Sequence, residues 1–233
     1  MFAKRYFPVL SLTAFLLFGI LLAGCQSQAN VTTTAPATVI QSAGICAEDL
    51  DTSGHEYIQN GQFRSGMTGW QTVDEPGSQG SDFVSIGNDR TCGTVVRLKR
   101  QGSDSVSGLV GLQQAVNVNR SGLKNLEVQL VARIDDQNLQ SDGNIGGETP
   151  VFITLDYVTK TGQHKSWTHG LMLTNHVNYP GRDQSIAAVY WTTYKSGNLL
   201  KMLPDLSTIQ KVTIGGNGQD FYSSIAFVSL LGS

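Results

Sequence analysis

The stretch KNLEVQLVARID, residues 124–135, alternates apolar and polar side chains with a period of two. From position 126 onward one parity carries only apolar side chains, among them Leu126, Val128, Leu130 and Ala132, while the other is mostly polar. This period is typical of a β-strand with one buried face, because successive side chains of a strand point to opposite faces of the sheet. An amphipathic helix would instead repeat its apolar residues every 3.6 positions.

Similar runs recur along the chain, and Gly, Asn, Asp and Ser separate them. We predict further strands at residues 55–63, 83–87, 94–100, 109–118, 150–158, 164–173, 185–194, 210–216 and 221–231. We find neither a convincing helical period nor an internal repeat in the sequence. About ten strands are enough for an all-β fold, so we predict an antiparallel two-sheet β-sandwich.

The first 25 residues, MFAKRYFPVLSLTAFLLFGILLAGC, have the organisation of a secretory signal: two basic residues, an apolar run and a small-residue end. The last four, Leu22 to Cys25, resemble the bacterial lipobox. That resemblance implies cleavage before Cys25, a diacylglycerol on its thiol and an acyl chain such as palmitate on its new amine. An ordinary signal peptide or an uncleaved anchor is the alternative.

The segment that follows Cys25 is uncharged and rich in Thr, Ala, Ser and Gln, which predicts a flexible tether. We therefore divide the chain into a lipoprotein signal peptide (1–24), a lipidated cysteine with tether (25–45) and one β-sandwich domain (46–233). The expected location is the bacterial cell envelope. Gln26 favours the outer membrane by enterobacterial sorting rules, whereas a single-membrane organism would hold the protein on the outer face of its cell membrane.

The remaining cysteines and the charge balance restrict the chemistry further. With Cys25 assigned to lipid, Cys46 and Cys92 form an even pair in an oxidising compartment, and we predict a disulfide between them rather than two free thiols. Removal of Lys4 and Arg5 with the signal leaves 14 basic and 18 acidic side chains, a formal net charge of −4. This balance argues against a nucleic-acid partner, which requires a basic face.

Three passages resemble one family. NGQFRSGMTGW (60–70) resembles the NGDFE-x-G-x-x-GW motif of galactose-binding-like jelly rolls, a group that includes many non-catalytic carbohydrate-binding modules. LQQAVNV (112–118) resembles the family's Q-x-V-x-V passage, and residues 213–231 are similar to its closing strand pair. The resemblance implies a jelly-roll domain. Gln62 and Arg64 stand where many members carry acids, some of which help to bind calcium, so we expect no calcium at these two positions.

In such a domain a sugar is expected on one sheet face, where aromatic rings stack on it and polar side chains bind its hydroxyls. Strand parity gives the candidates Trp167, Tyr190, Tyr194, Gln129, Arg133, Asp156 and Glu127. The alternative is a solvated outer face of cross-strand ion pairs without a ligand. We expect Trp191 to lie in the core and Trp70 to pack over the edge of the sandwich.

The polar stretch DDQNLQSDGNIGGE (135–148) contains the only metal candidate that we retain. Asp142, Asn144 and Glu148 supply oxygen atoms suited to calcium, but their spacing departs from the calcium-loop pattern. A hydrogen-bonded turn is the alternative. We expect no other cofactor.

Catalysis has little support, because neither a G-x-S-x-G nor an H-E-x-x-H motif occurs. A carboxylate pair of Glu127 and Asp156, or a lyase set of Tyr157, His169 and Arg133, keeps a polysaccharide-degrading enzyme as the least favoured hypothesis. We favour a lipid-anchored envelope protein whose domain binds an extracellular or cell-wall glycan without chemistry. An envelope scaffold or protein-interaction module is the alternative.

Overall fold

The computed structural model describes residues 40–41, 46, 50–74, 83–101, 107–139, 148–174 and 183–233. All of them belong to one compact unit of residues 35–233. The signal sequence, Cys25 and most of the predicted tether lie outside the described residues, as do Asp142 and Asn144. No helix within the described ranges has the length and apolar character needed to cross a membrane.

The described chain forms thirteen strands and one short helix. They are β1 (Ile40–Gln41), β2 (His55–Glu56), β3 (Gln71–Asp74), β4 (Phe83–Asp89), β5 (Gly93–Gln101), β6 (Gly108–Asn119), β7 (Leu126–Gln137), β8 (Thr149–Thr159), β9 (His164–Leu173), β10 (Asp183–Ile186), β11 (Thr192–Lys195), α1 (Leu199–Met202), β12 (Leu206–Gly218) and β13 (Asp220–Gly232).

These strands build two sheets. Sheet I has the order β1-β11-β7-β13-β5-β4, with β2 also paired to β13, and sheet II has the order β10-β9-β8-β12-β6-β3. Among the described strands, every pair is antiparallel except β9 with β10. The predicted all-β, two-sheet β-sandwich of the jelly-roll type is confirmed, and the parallel β9–β10 pair is the departure from it.

The main core lies between the two sheets and follows the predicted alternation. Leu126, Val128 and Leu130 of β7 are fully buried, and the matching parity of β8 contributes Ile153 and Leu155. Each such side chain contributes about 1.5–3 kcal/mol through its removal from water. The alternation of residues 124–135 therefore identified the inner face of sheet I correctly.

A second, smaller apolar cluster contains residues of sheet I that alternate with those of the main core. Its buried members are Val95, Val131, Trp191 and Ala226. The disulfide between Cys46 and Cys92 packs beside this cluster, and its Cα atoms lie 4.9 Å apart, so the predicted pairing is confirmed. Trp191 is buried as expected, but in this second cluster rather than between the sheets.

The strand predicted at residues 185–194 is wrong, because this segment forms two short strands in different sheets. β10 belongs to sheet II and β11 to sheet I, and a turn lies between them. Val189 in that turn has φ 57°, a conformation that β-branched residues rarely adopt, and its N–H donates to the carbonyl oxygen of Ile134 at 2.9 Å. The positive φ ends the extended chain and directs it to the other sheet.

The strand predicted at residues 55–63 is also wrong beyond Glu56, because residues 58–70 form a series of turns, here called the NGQF loop. Asn60 has φ 53°, and its side chain holds the loop together. Its amide nitrogen donates to the carbonyl oxygens of Gly66 (2.9 Å) and Thr68 (3.0 Å), and its oxygen accepts from the Ser65 N–H (3.2 Å). Asparagine tolerates a positive φ better than most residues, so the motif begins a loop rather than a strand.

The end of the NGQF loop closes the core. Phe63 is fully buried and Trp70 is 7 % exposed, and their ring centroids lie 5.8 Å apart. The loop also crosses β13, where the Gly61 carbonyl accepts from the Val228 N–H at 2.9 Å. A Cβ at position 61 would clash with the Val228 carbonyl oxygen, so this crossing requires glycine. The packing expected for Trp70 is confirmed.

Candidate functional site

The outer side of sheet II carries a set of hydroxyl, amide and charged side chains, here called the polar face. Its members come from β3, β6, β12, β8 and β9. They are Gln71, Gln113, Thr213, Thr154, Thr168, Lys211, Asp156 and Ser166. They alternate along their strands with core residues such as Leu112, Val212 and Leu155, which places them on the side of the sheet that faces away from sheet I.

Strand register arranges five of these side chains in one row across the sheet. The successive cross-strand partners are Gln71, Gln113, Thr213, Thr154 and Thr168. The Gln113 amide donates to the Gln71 side-chain oxygen at 3.5 Å, and the hydroxyls of Thr154 and Thr168 lie 2.9 Å apart. Amides and hydroxyls both donate and accept hydrogen bonds, so the row offers a line of groups that match sugar hydroxyls.

A neighbouring row contains the charged members of the polar face. Asp156 accepts from the Lys211 ammonium at 2.9 Å and from the Ser166 hydroxyl at 2.6 Å. Burial raises the pKa of Asp156, but the hydrogen bonds from Lys211 and Ser166 and the charge of Lys211 outweigh it and lower the pKa below its usual value. The pair therefore fixes an ionised carboxylate in the middle of the sheet.

On the other side of the threonine row, small residues surround Phe152. Its cross-strand partners are Gly215 of β12 and Gly170 of β9, and Gly215 in turn lies opposite Gly111 of β6. A Cβ on Gly215 would lie 3.1 Å from the Phe152 ring and 2.6 Å from the Val110 carbonyl oxygen. The glycines therefore let β6 and β12 approach closely and leave room for the ring, which is 6 % exposed.

A cavity of about 430 Å³ opens beside the charged row. The residues that line it are Asp156, Tyr157, His164, Lys165, Ser166, Gln210 and Lys211. Across its rim Lys165 donates to the Asp205 carboxylate at 2.6 Å. This hydrogen bond raises the pKa of Lys165 and lowers that of Asp205. The cavity lies within the size range of small-ligand pockets.

The candidates that parity placed on β7 lie on the opposite side of the molecule. Glu127, Gln129 and Arg133 point outward from sheet I, whereas Asp156 points outward from sheet II. Gln129 is fully buried because it binds the N-terminal segment: its oxygen accepts from the Asp51 N–H at 3.0 Å and its amide donates to the Asp51 carbonyl at 3.1 Å. The expectation that Gln129 is accessible to a sugar is therefore wrong.

Arg133 is held by structural contacts. Its guanidinium forms ion pairs with Asp89 and Asp135, each at 2.9 Å, and lies 4.9 Å from the ring centroid of Trp191. Asp89 also accepts from the backbone N–H groups of Thr91 and Cys92. This network orders the β4–β5 turn beside the disulfide. On the outside of sheet I, Arg133 therefore fits the alternative given above, a face of cross-strand ion pairs without a ligand.

The aromatic candidates occupy three different environments. Tyr194 is 2 % exposed and points between the sheets, where its ring stacks on His169 at 3.8 Å, so its expected place on an exposed face is wrong. Trp167 lies opposite the core residue Leu155 and is half-buried at the edge of the same stack. Tyr190 is 46 % exposed in the turn between β10 and β11.

The residues that kept an enzyme under consideration do not share one site. Glu127 and Asp156 lie on opposite outer faces with the core between them, so they cannot flank one glycosidic bond. Tyr157 and His169 face inward, whereas Arg133 faces outward from sheet I. Burial lowers the pKa of His169 to about 4, and the hydrogen bond with Gln184 opposes that shift only in part.

Glu148 acts as an acceptor for backbone groups. It is fully buried, and its carboxylate accepts from the N–H groups of Asn138 (2.9 Å), Leu139 (2.8 Å), Gln219 (2.9 Å) and Asp220 (2.6 Å). These four bonds connect the end of β7 to the turn between β12 and β13. Within the described ranges, no group of three or more His, Cys, Asp or Glu side chains is arranged to hold a metal ion.

No family model and no curated protein matches this sequence. Solved structures do match its architecture, and the neighbours are carbohydrate-binding modules of the β-sandwich class. TmCBM61 in complex with β-1,4-galactotriose is 14 % identical with a TM-score of 0.45, and the match covers 77 % of this chain and 99 % of that one. The family 11 module of Clostridium thermocellum, in complex with a mixed-linked tetrasaccharide, is 10 % identical with a TM-score of 0.44. This match covers 78 % of this chain and 98 % of that one. A xylan-binding domain of family 22 is 12 % identical with a TM-score of 0.41, and the match covers 78 % of this chain and 97 % of that one.

Sequence reasoning identified Asp156 as a candidate on β8 but missed its partners on neighbouring strands. Gln113, Thr213 and Lys211 each alternate with buried residues, so their outward parity is visible in the sequence. Parity does not reveal which strands are neighbours, because β8 pairs with β12, about fifty residues further along the chain. The missing information was the strand order.

Proposed function

We propose that this domain binds a glycan on the polar face of sheet II without catalysing a reaction. The observation that carries the proposal is the row of two glutamines and three threonines that crosses five strands beside a cavity of about 430 Å³. An extended saccharide has hydroxyl groups along its length, and the exposed and half-buried members of the row, Gln71, Gln113, Thr154 and Thr168, supply matching donors and acceptors. The Asp156–Lys211 pair adds charge-assisted hydrogen bonds at one side.

The first test is a glycan array probed with the purified domain (residues 46–233), followed by calorimetry with the best neutral oligosaccharide. The double variant Gln71→Ala/Gln113→Ala should weaken that binding about tenfold, because it removes two side chains that bind hydroxyls. Gln163→Ala is the matched control, since Gln163 is an exposed glutamine in the turn between β8 and β9. The proposal fails when the array gives no binding or when the double variant binds as tightly as the native domain.

We further propose that the domain is held at the cell envelope by lipid on Cys25. The support is the signal organisation that ends in Leu22 to Cys25 and the uncharged segment that follows. The full-length chain should incorporate labelled palmitate and sediment with membranes, and Cys25→Ser should abolish both behaviours. Palmitate labelling of the Cys25→Ser protein would refute the assignment of this cysteine.

The protein-interaction alternative has one specific observation in its favour. Val189 is 59 % exposed and Tyr190 46 % exposed, so two large apolar side chains stand next to each other at the surface. In this case a partner protein should crosslink to the β10–β11 turn, and Val189→Ser/Tyr190→Ser should remove the crosslink. Retention of the crosslink in that variant would exclude this turn as the interface.

A further inference from the structure

A second cavity, on the outer side of sheet I, has the chemistry of a binding site. Its volume is about 470 Å³. The residues that line it are Cys46, Gln62, Arg64, Thr91, Cys92, Gly93, Thr94, Ala226 and Phe227. A smaller cavity of about 290 Å³ shares Gln62, Arg64 and Phe227 with it, so these three residues lie where the two spaces meet. The disulfide and the NGQF loop both contribute to the walls.

Arg64 gives the larger cavity its charge. Among the described residues that line this cavity, it is the one ionisable side chain. It is exposed, and within the described part of the chain it has no hydrogen-bond or ion-pair partner. A guanidinium presents donors in a planar fork that matches the two oxygens of a carboxylate. The free fork therefore favours an anionic ligand.

The acids near this region that the structure describes, Asp89 and Glu56, are already used by the fold. Asp89 accepts from the N–H groups of Thr91 and Cys92 and forms an ion pair with Arg133. Glu56 lines the smaller cavity, and its carboxylate accepts from the N–H groups of Ile58 (2.8 Å) and Leu230 (3.0 Å) and from the Ser229 hydroxyl. These three bonds occupy both oxygens of the carboxylate, and Glu56 forms no ion pair with Arg64. The charge available to a ligand in the larger cavity is thus positive.

The other lining groups indicate which kind of molecule bears the anionic group. Phe227 is half-buried and contributes an aromatic surface to both cavities. The Gln62 amide and the Thr91 hydroxyl are exposed on the same walls. An aromatic ring combined with neutral donors and acceptors suits a sugar ring with its hydroxyls, and the guanidinium suits a carboxylate on that ring. A simple inorganic anion would use the guanidinium alone.

We propose that this cavity binds a carboxylate-bearing sugar, a uronic acid residue of an acidic polysaccharide, with Arg64 on the carboxylate and Phe227 against the ring. The site is separate from the polar face, because it lies on the opposite sheet. The site contains Gln62 and Arg64, the two residues that stand where many galactose-binding-like jelly rolls carry acids.

The test is calorimetry of the domain with oligogalacturonate and with a neutral galacto-oligosaccharide of equal length. Arg64→Gln should weaken oligogalacturonate binding at least about tenfold, because charge-assisted hydrogen bonds are lost. Arg90→Gln is the matched control, since Arg90 is an exposed arginine on the β4–β5 turn that does not line the cavity. Its effect should be less than about twofold, the size of a general charge effect.

Absence of oligogalacturonate binding overturns the proposal, and so does equal binding by the native domain and Arg64→Gln. Binding of sugar phosphates in place of the uronate also overturns it. The thermal midpoint of Arg64→Gln should equal that of the native domain, so a loss of binding is not a loss of folding. Gln71→Ala/Gln113→Ala should leave uronate binding unchanged, which separates this proposal from the one for the polar face.

Discussion

Gln114 of β6 and Gln59 of the NGQF loop form two hydrogen bonds. The Gln114 side-chain oxygen accepts from the Gln59 N–H at 2.7 Å, and its amide donates to the Gln59 carbonyl at 3.0 Å. The same amide also donates to the Gly69 carbonyl at 3.0 Å. One buried glutamine thus connects sheet II to both ends of the loop, so the N-G-x-F and Q-x-V-x-V passages of this chain are joined by direct hydrogen bonds.

Gln114→Leu should lower the free energy of unfolding by about 2–4 kcal/mol, because three backbone groups lose their partners while the side-chain volume is kept. Urea denaturation measures the change. Gln113→Leu is the control on the adjacent residue, whose side chain has one long hydrogen bond to Gln71, and it should change the stability far less. Equal effects of the two variants would contradict the role assigned to Gln114.

Glu148→Gln should destabilise the fold by about 3 kcal/mol. The amide keeps the shape of the carboxylate but turns an N–H₂ group toward backbone donors, so at least one pair of the four hydrogen bonds is lost. Glu127→Gln, at a half-buried glutamate on the outside of sheet I, is the control. Because Glu148 is committed to the backbone, we also expect added calcium to leave the thermal midpoint unchanged. A calcium-dependent rise would support the calcium site predicted at Asp142, Asn144 and Glu148.

The disulfide between Cys46 and Cys92 closes a loop of 46 residues, and Cys92→Ser should lower the stability by about 4 kcal/mol in the loop-entropy model. Denaturation with and without a reductant should show the same loss in the native domain and no further loss in the variant. If reduction leaves the native domain unaffected, the bond contributes nothing to stability.

Acid should destabilise the domain through His169. Its pKa is about 4 in the folded state against 6.5 for a free histidine, so the unfolded chain binds more protons between these values. The unfolding free energy therefore rises with pH through this window, and about 3 kcal/mol is lost on acidification from pH 7 to below pH 4. His169→Gln should flatten the profile between pH 4 and 6.5, whereas His164→Gln, at an exposed histidine, should not. An unchanged slope in His169→Gln would show that other groups titrate there.

The fold was predictable to the extent that it depends on local periodicity. Leu126 to Leu130 and Ile153 to Leu155 show their buried parity in the sequence. The pairing of Cys46 with Cys92 follows from the cysteine count once Cys25 is set aside. The break at Val189 was not predictable, because it depends on a positive φ at a residue type that normally favours strands. Periodicity alone gives no sign of such a turn.

The candidate site was predictable only in part, because it is built from distant residues. Trp167 was expected on an exposed face, but it shares with His169 the parity of β9 that faces the core. Both parities of that strand mix polar and apolar residues, so the inner face was not evident in the sequence. Glu148 looked like a ligand in a polar loop, although its acceptor role depends on Gln219 and Asp220, more than seventy residues away. Accessibility of Gln129 likewise depends on Asp51.

The position of the disulfide also determines how the domain carries mechanical load. A pull applied through the N-terminal segment first meets the two-residue pair of β1 with β11 and then reaches Cys46. From there a covalent bond transmits the force directly into the β4–β5 turn. Residues 50–56, and the hydrogen bonds between Asp51 and Gln129, are bypassed and carry no tension. Reduction would redirect the same force through those noncovalent contacts, so the oxidised domain should withstand the greater pull before any strand separates.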